Sequence, residues 1–414
     1  MASLRRYLSI KVLLISISLF VLFSCEDEIP VPGYNSSVRR HPERRNVMIV
    51  YAAGFNSLSN DIYKNIEDLK KGYLPSNHRD DNVLLVFSKL ANASKDYRKQ
   101  STPVLIRLYK NKRGKVVSDT LIKMSKGTVA ASEKTLNEVL LYIKDKFPAA
   151  GYGLIVSSHA TGWLPEYYYN FPYKYNSITP QSITQEERVG SNGERKSYEI
   201  ELKAFIKAIP MHLQYIIFDA CLMGGIEVAY ELKDICNMVA FSQAEILAAG
   251  MNYTKMAKNL IATGTPDLKA VCTDYFEQYN TLSGAYRSAT ISLAKCSETE
   301  DIAILCRELF NKYRVGLNNI NPNMVQGFYT HNRHWFYDLI DIVRKAGASD
   351  EELNGLQRAI DKAILYKGST PSFLNLFKIN TFSGFSMYLP ANGSKYLDNY
   401  YKTLNWNNAT ILVE

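Results

Sequence analysis

Two hydrophobic periods alternate along this chain, and that alternation narrows its possible folds more than any other feature. Val47 to Tyr51 is a continuous apolar run of strand length. Asn60 to Lys71 follows with Ile62, Ile66 and Leu69 on one helical face. Val83 to Phe87 is a second apolar run, and Val104 to Tyr109 and Val116 to Ile122 read as two strands joined by a turn at Asn111 to Gly114. Ser132 precedes Leu136, Val139, Leu140 and Ile143 at helical spacing, where it serves as an N-cap. Gly153 to Ser157, Tyr215 to Phe218 and Met238 to Phe241 are further apolar strands. Apolar strands separated by amphipathic helices predict an α/β fold: a mostly parallel sheet with helices on both faces. From Lys255 to Tyr366 the spacing is helical, as at Ala303, Cys306, Leu309 and Phe310, until a late strand at Phe382 to Leu389 ends at Pro390. The expected organisation is an α/β domain over 46–254 and a mainly helical region over 255–414 packed on it.

The first 24 residues stand outside this pattern. Arg5, Arg6 and Lys11 precede an apolar run from Val12 to Phe23, which is too short for a permanent membrane span and reads as a cleaved signal peptide. Leu22-Phe23-Ser24-Cys25 resembles a bacterial lipobox, which would make Cys25 a lipidated N-terminus. Residues 25–45, rich in Pro, Ser and Arg, read as a tether. The acids Glu26, Asp27 and Glu28 are similar to surface-export signals of some envelope lipoproteins, so the expected location is the cell envelope, at an outer membrane and facing outward.

Net charge is +9 over 414 residues and falls by three, to +6, without Arg5, Arg6 and Lys11. Such an excess, evenly spread, gives no basic face for nucleic acid. The five cysteines after Cys25 form no Cys-x-x-Cys pair and no Cys/His cluster at metal spacing, so no metal site is expected. Cys236, Cys272, Cys296 and Cys306 read as buried thiols.

Two strand ends carry candidate chemistry. Leu154 to Ser158 delivers His159, and Tyr215 to Phe218 delivers Asp219-Ala220-Cys221. In open α/β sheets, sites form at the carboxyl edge of the strands. A thiol and an imidazole there have the elements of nucleophilic acyl transfer. Gly384-Phe-Ser-Met-Tyr lacks the closing Gly of a serine nucleophile elbow, and no phosphate-binding Gly-x-x-x-x-Gly-Lys loop is present.

The segment Ser158-His-Ala-Thr-Gly-Trp163 resembles the His-Gly-x-Gly-Trp element of clostripain-like cysteine peptidases, relatives of the caspases, gingipains and legumains. Phe218-Asp-Ala-Cys-Leu-Met223 resembles their Asp-x-Cys-x-Met element, and Gly384-Phe-Ser-Met-Tyr-Leu-Pro390 is similar to a late element of the same family. The resemblance implies a caspase-like fold and an endopeptidase acting on protein or peptide substrates through His159 and Cys221. Backbone N–H groups of Ala160 and Cys221 would form the oxyanion hole, with Ala160 replacing the family's Gly. Asp219, and less directly Glu245, would receive a basic P1 side chain. Asp219 has a second reading as a helix cap. No cofactor is implied, although calcium dependence occurs in similar peptidases. The breaker-rich stretch Leu164 to Tyr198 carries Lys174, Arg188, Arg195 and Lys196, and similar peptidases cut themselves there; cleavage is expected after Arg188, Arg195 or Lys196. The alternative in another class is an inactive surface lipoprotein that keeps the fold to bind peptide or protein.

Overall fold

β1 (Asn46–Gly54) is buried along its whole length, as a strand covered on both faces must be. It pairs in parallel with β2 (Val83–Leu90) on one side and β5 (Gly151–Ser157) on the other. The computed structural model describes residues 41–78, 80–91, 101–166, 183–189, 195–329 and 334–414. Beyond β2, the hairpin β3 (Val104–Lys110) and β4 (Val116–Lys123) adds antiparallel strands, and β4 is the partly exposed edge. Beyond β5 lie β8 (Leu213–Asp219) and β9 (Cys236–Phe241), both parallel, then β10 (Thr290–Lys295) and β12 (Ile364–Ser369), both antiparallel. The sheet therefore runs β12-β10-β9-β8-β5-β1-β2-β3-β4, parallel in its five central strands.

Helices cover both faces because the strand residues alternate between them. On one face α1 (Ser59–Lys71), α5 (Tyr253–Ile261) and α6 (Leu268–Asn280) bury Ile62, Met256 and Val271 among others against Met48, Val50, Ile155 and Ile217. On the other, Phe205 of α3 (Leu202–Lys207) lies 5.9 Å from the Phe218 ring of β8. α2 (Glu133–Lys146) begins as its sequence predicts, with Ser132 Oγ accepting the Thr135 N–H at 3.2 Å. α4 (Ile226–Glu231) is short and wholly buried. After β10 come α7 (Thr299–Lys312), α8 (Arg314–Asn319), α9 (Leu339–Ala346) and α10 (Asp350–Ala363), and α11 (Lys395–Tyr401) and α12 (Asn405–Thr410) end the chain.

Three stretches differ from their sequence patterns. Residues 255–366 are not uniformly helical, since β10 and β12 extend the main sheet. In β10, Thr290 and Ser292 are buried because Ser242 and Gln243 supply hydrogen bonds at 2.7 and 3.1 Å. Their polarity hides a buried strand from a hydrophobicity reading. In the stretch 164–198, β6 (Ile183–Val189) and β7 (Arg195–Ile200) pair as an antiparallel hairpin. In the late apolar run only Ser386–Met387 is strand, paired with β11 (Tyr337–Asp338). The leader, Cys25, most of the tether and Lys174 lie outside the described residues, among which no helix is long and apolar enough to cross a membrane.

Candidate active site

The register between β5 and β8 places Ser157 opposite Asp219. His159 and Cys221 each follow two residues later, so the sheet delivers them side by side at its carboxyl edge. The loops behind them touch. Gly162 has φ +64°, and a Cβ there would sit 2.6 Å from the Leu222 carbonyl oxygen, so the position requires glycine. Leu222, next to the thiol, has φ +60°, a costly conformation for a branched side chain. It is held by hydrogen bonds on both sides: Leu222 N–H to Ala244 O at 3.0 Å and Gly224 N–H to Ser242 O at 2.7 Å. Ala160 is buried and lies outside the positive-φ region, so alanine costs no strain where similar peptidases carry glycine.

Both candidate side chains are half-buried, and both are uncharged. Burial lowers the His159 pKa to about 4. Burial first, and then the negative charge of Glu245, raise the Cys221 thiol to about 12. The Ile246 N–H donates to Cys221 Sγ at 3.4 Å, and the thiol faces the Ile246 carbonyl at 3.8 Å. The imidazole is engaged elsewhere, with Nε2 2.7 Å from Ser57 Oγ. A neutral thiol beside a neutral imidazole is a resting pair, competent only if the proton moves as substrate arrives.

Beside the thiol, Asp219, Asn65, Ile62 and Leu247 help line a pocket with about 20 Å³ of free volume, room for little more than a water. Asp219 Oδ2 accepts from Tyr253 Oη at 2.7 Å and Ser157 Oγ at 3.2 Å, and burial raises its pKa. The helix-cap reading of Asp219 fails. The next helix, α4, starts at Ile226 and is capped by Gly225. Glu245 reaches the thiol electrostatically but is not part of the pocket lining.

A sequence model of the clostripain family matches residues 50–411, most of the chain. The chain belongs to the clostripain family. Membership makes it a cysteine endopeptidase with a caspase-like fold. Among solved structures, an inactive zymogen C11 protease from Parabacteroides distasonis is similar at 26% identity and a TM-score of 0.72, over 90% of this chain and 99% of that one. A secreted C11 cysteine protease from Bacteroides thetaiotaomicron, in complex with an irreversible peptide inhibitor, shares the fold at 23% identity and a TM-score of 0.71, over 89% of this chain and 99% of that one. Comparison with curated protein sequences finds no match.

In this clostripain-family chain the hairpin of β6 and β7 packs against the histidine loop, with Ile183 bridging to Ala160. Glu186 pins the hairpin. Its carboxylate pairs with the fully buried Lys89, accepts the Ala130 N–H at 2.6 Å, and takes Arg188 Nε and Nη2 at 2.8 and 2.7 Å. Arg188 thus sits in a paired strand and an ion-pair network, opposite Lys196 in the hairpin register, and Arg195 opens β7. Among the described residues no group of three or more His, Cys, Asp or Glu side chains is placed to hold a metal ion. Ser57, Tyr253 and Ile246 carry no pattern that marks them in the sequence, because they reach the site from loops and a helix whose approach is set by packing.

Proposed function

We propose that this clostripain-family peptidase hydrolyses peptide bonds after Lys or Arg, with Cys221 as nucleophile and His159 as general base and acid. The thiol gives its proton to His159 as sulfur attacks the scissile carbonyl. The N–H groups of Ala160 and Cys221 receive the developing oxyanion, an interaction worth ~2.7–4 kcal/mol per donor. The imidazolium then protonates the leaving amine, and water hydrolyses the thioester. The β5–β8 register carries this reading, because it aligns the two residues at one sheet edge. Asp219, buried in the adjoining pocket, supplies the counter-charge a desolvated ammonium or guanidinium needs. Glu245, outside that lining, acts on the thiol instead.

With about 20 Å³ free, the pocket opens before it accepts a basic side chain. Self-cleavage between the histidine and cysteine strands is the proposed trigger, and a solved relative is described as an inactive zymogen. Cutting after Arg188, Arg195 or Lys196 requires the β6–β7 hairpin to unpair. Masses of the fragments from wild-type and Cys221→Ala protein locate the cut, and an uncut, fully active protein would exclude a gate. Anchoring through a lipid on Cys25, in an outer membrane and facing outward, is part of the same proposal. Cys25→Ala protein that stays in the membrane fraction would refute the anchor, and protease shaving of intact cells tests the exposure. The neutral, unbonded Cys221–His159 pair favours one second reading, a fold kept for binding peptide without turnover. A Lys- or Arg-directed electrophile separates the two: covalent labelling at Cys221 supports the peptidase, and no labelling after processing supports the binder.

A further inference from the structure

Ser57 lies three residues beyond β1, in the loop leading to α1, and its Oγ is the hydrogen-bond partner of His159 Nε2 at 2.7 Å. The loop is fixed around it. The buried Asn56 amide donates to Gln185 O at 2.8 Å and to Ala53 O at 3.1 Å, while its carbonyl oxygen accepts the Leu58 N–H at 2.9 Å. The residue before the histidine uses the same anchors. Ser158 Oγ donates to Ala53 O at 2.7 Å and accepts the Gln185 N–H at 2.9 Å. Ser57 and His159 are therefore held against each other by neighbours that share Ala53 and β6, although Ser57 itself is exposed.

We infer that Ser57 is a positioning residue that holds the imidazole by Nε2 and assigns proton transfer to Nδ1. The inference rests on the Cys221–His159 reading proposed above. A neutral imidazole carries one N–H. For Nδ1 to accept the Cys221 proton, that hydrogen must sit on Nε2, where Ser57 Oγ accepts it, and the exposed serine hydroxyl hydrogen turns to solvent. When sulfur bonds to the carbonyl carbon, its proton moves to Nδ1, and the Nε2–H to Oγ bond becomes charge-assisted and stronger. When the carbon–nitrogen bond breaks, the Nδ1 proton leaves with the amine and the imidazole returns to its starting tautomer. Ser57 thus does for His159 part of what a carboxylate does in a Ser-His-Asp triad: it orients the ring and, accepting from Nε2, favours the tautomer that leaves Nδ1 free for the thiol proton.

The test uses the full chain as wild type, Ser57→Ala, Ser57→Thr and His159→Ala, each cut by added wild-type enzyme that is then removed, assayed on a Lys-P1 peptide substrate, with imidazole nitrogen NMR of the resting protein. A hydrogen bond to a charged group lost in the transition state lowers kcat about 10- to 100-fold with KM little changed. Ser57→Ala is expected to show that split and to lose the Nε2–H tautomer signal, and Ser57→Thr, which keeps the hydroxyl, to restore both. Wild-type kcat and an unchanged tautomer signal in folded Ser57→Ala, with His159→Ala inactive, would overturn the inference while leaving the dyad standing. Activity surviving in His159→Ala would remove the dyad, and the role of Ser57 with it.

Discussion

Asp219 lies at the last position of β8, buried, with Tyr253 and Ser157 donating to one of its oxygens and the pocket against it. Asparagine keeps the shape and much of the hydrogen bonding but removes the charge. Asp219→Asn should therefore lower kcat/KM for Lys and Arg at P1 by about 100-fold or more, a loss of roughly 3 kcal/mol, and leave the fold intact. Equal rates for basic and neutral P1 residues in the wild type, or an unchanged preference in the variant, would count against the pocket assignment. At this scale the sequence was informative where a residue's place follows from its own strand. His159, Asp219 and Cys221 stand at strand ends, and the sheet register alone brings them together. Ser57 and Ile246 were not legible, because a loop serine and a loop isoleucine carry no pattern that says which strand end they approach.

Among the elements, α4 joins the nucleophile loop to the end of the chain. Glu227 on α4 is fully buried; its Oε1 accepts the Tyr388 N–H and the Tyr401 hydroxyl, each at 2.8 Å. Trp163, four residues past the histidine, packs edge-on against the Tyr388 and Tyr401 rings at 5.1 and 4.8 Å. Glu231 on the same helix accepts the backbone N–H groups of Asn405 and Trp406. Burial lifts the Glu227 carboxyl from an ordinary 4.5 to about 7. A carboxyl raised on folding binds its proton more tightly in the native state. It therefore costs nothing below about 4.5 and costs most above about 7. Glu227→Gln removes that dependence, so its stability relative to wild type should rise by up to about 3 kcal/mol between pH 4.5 and pH 8 in urea unfolding. A difference that does not change with pH would contradict the buried, titrating carboxyl. The late apolar run around Met387 was legible as an element. Its partner was not: nothing in the spacing of Ser386 says that it pairs with β11 or bridges to Gly225.

Over the whole molecule, one sheet of nine strands carries the site near its centre, and strands from both halves of the sequence build it. The alternation of apolar runs with amphipathic helices made the five parallel strands legible, since a parallel strand buried on both faces reads as a near-continuous apolar run. The extension by β10 and β12 was not, because buried Thr290 and Ser292 satisfy their hydroxyls on partners distant in sequence. That extension also joins the expected α/β and C-terminal regions into one structure. β10 pairs directly with β9, and the Gln243 amide donates to Ser292 Oγ at 3.1 Å and to Gly384 O at 2.7 Å. The central claim for this molecule is that the edge shared by β5 and β8 is a working cysteine–histidine site. Its most direct test is hydrolysis of a peptide substrate with Lys or Arg at P1 by self-processed wild-type protein and by Cys221→Ala and His159→Ala proteins of matched fold, each cut by added wild-type enzyme that is then removed. The account predicts turnover by the wild type and at least a ~1,000-fold loss in each variant; hydrolysis by Cys221→Ala at the wild-type rate would contradict it.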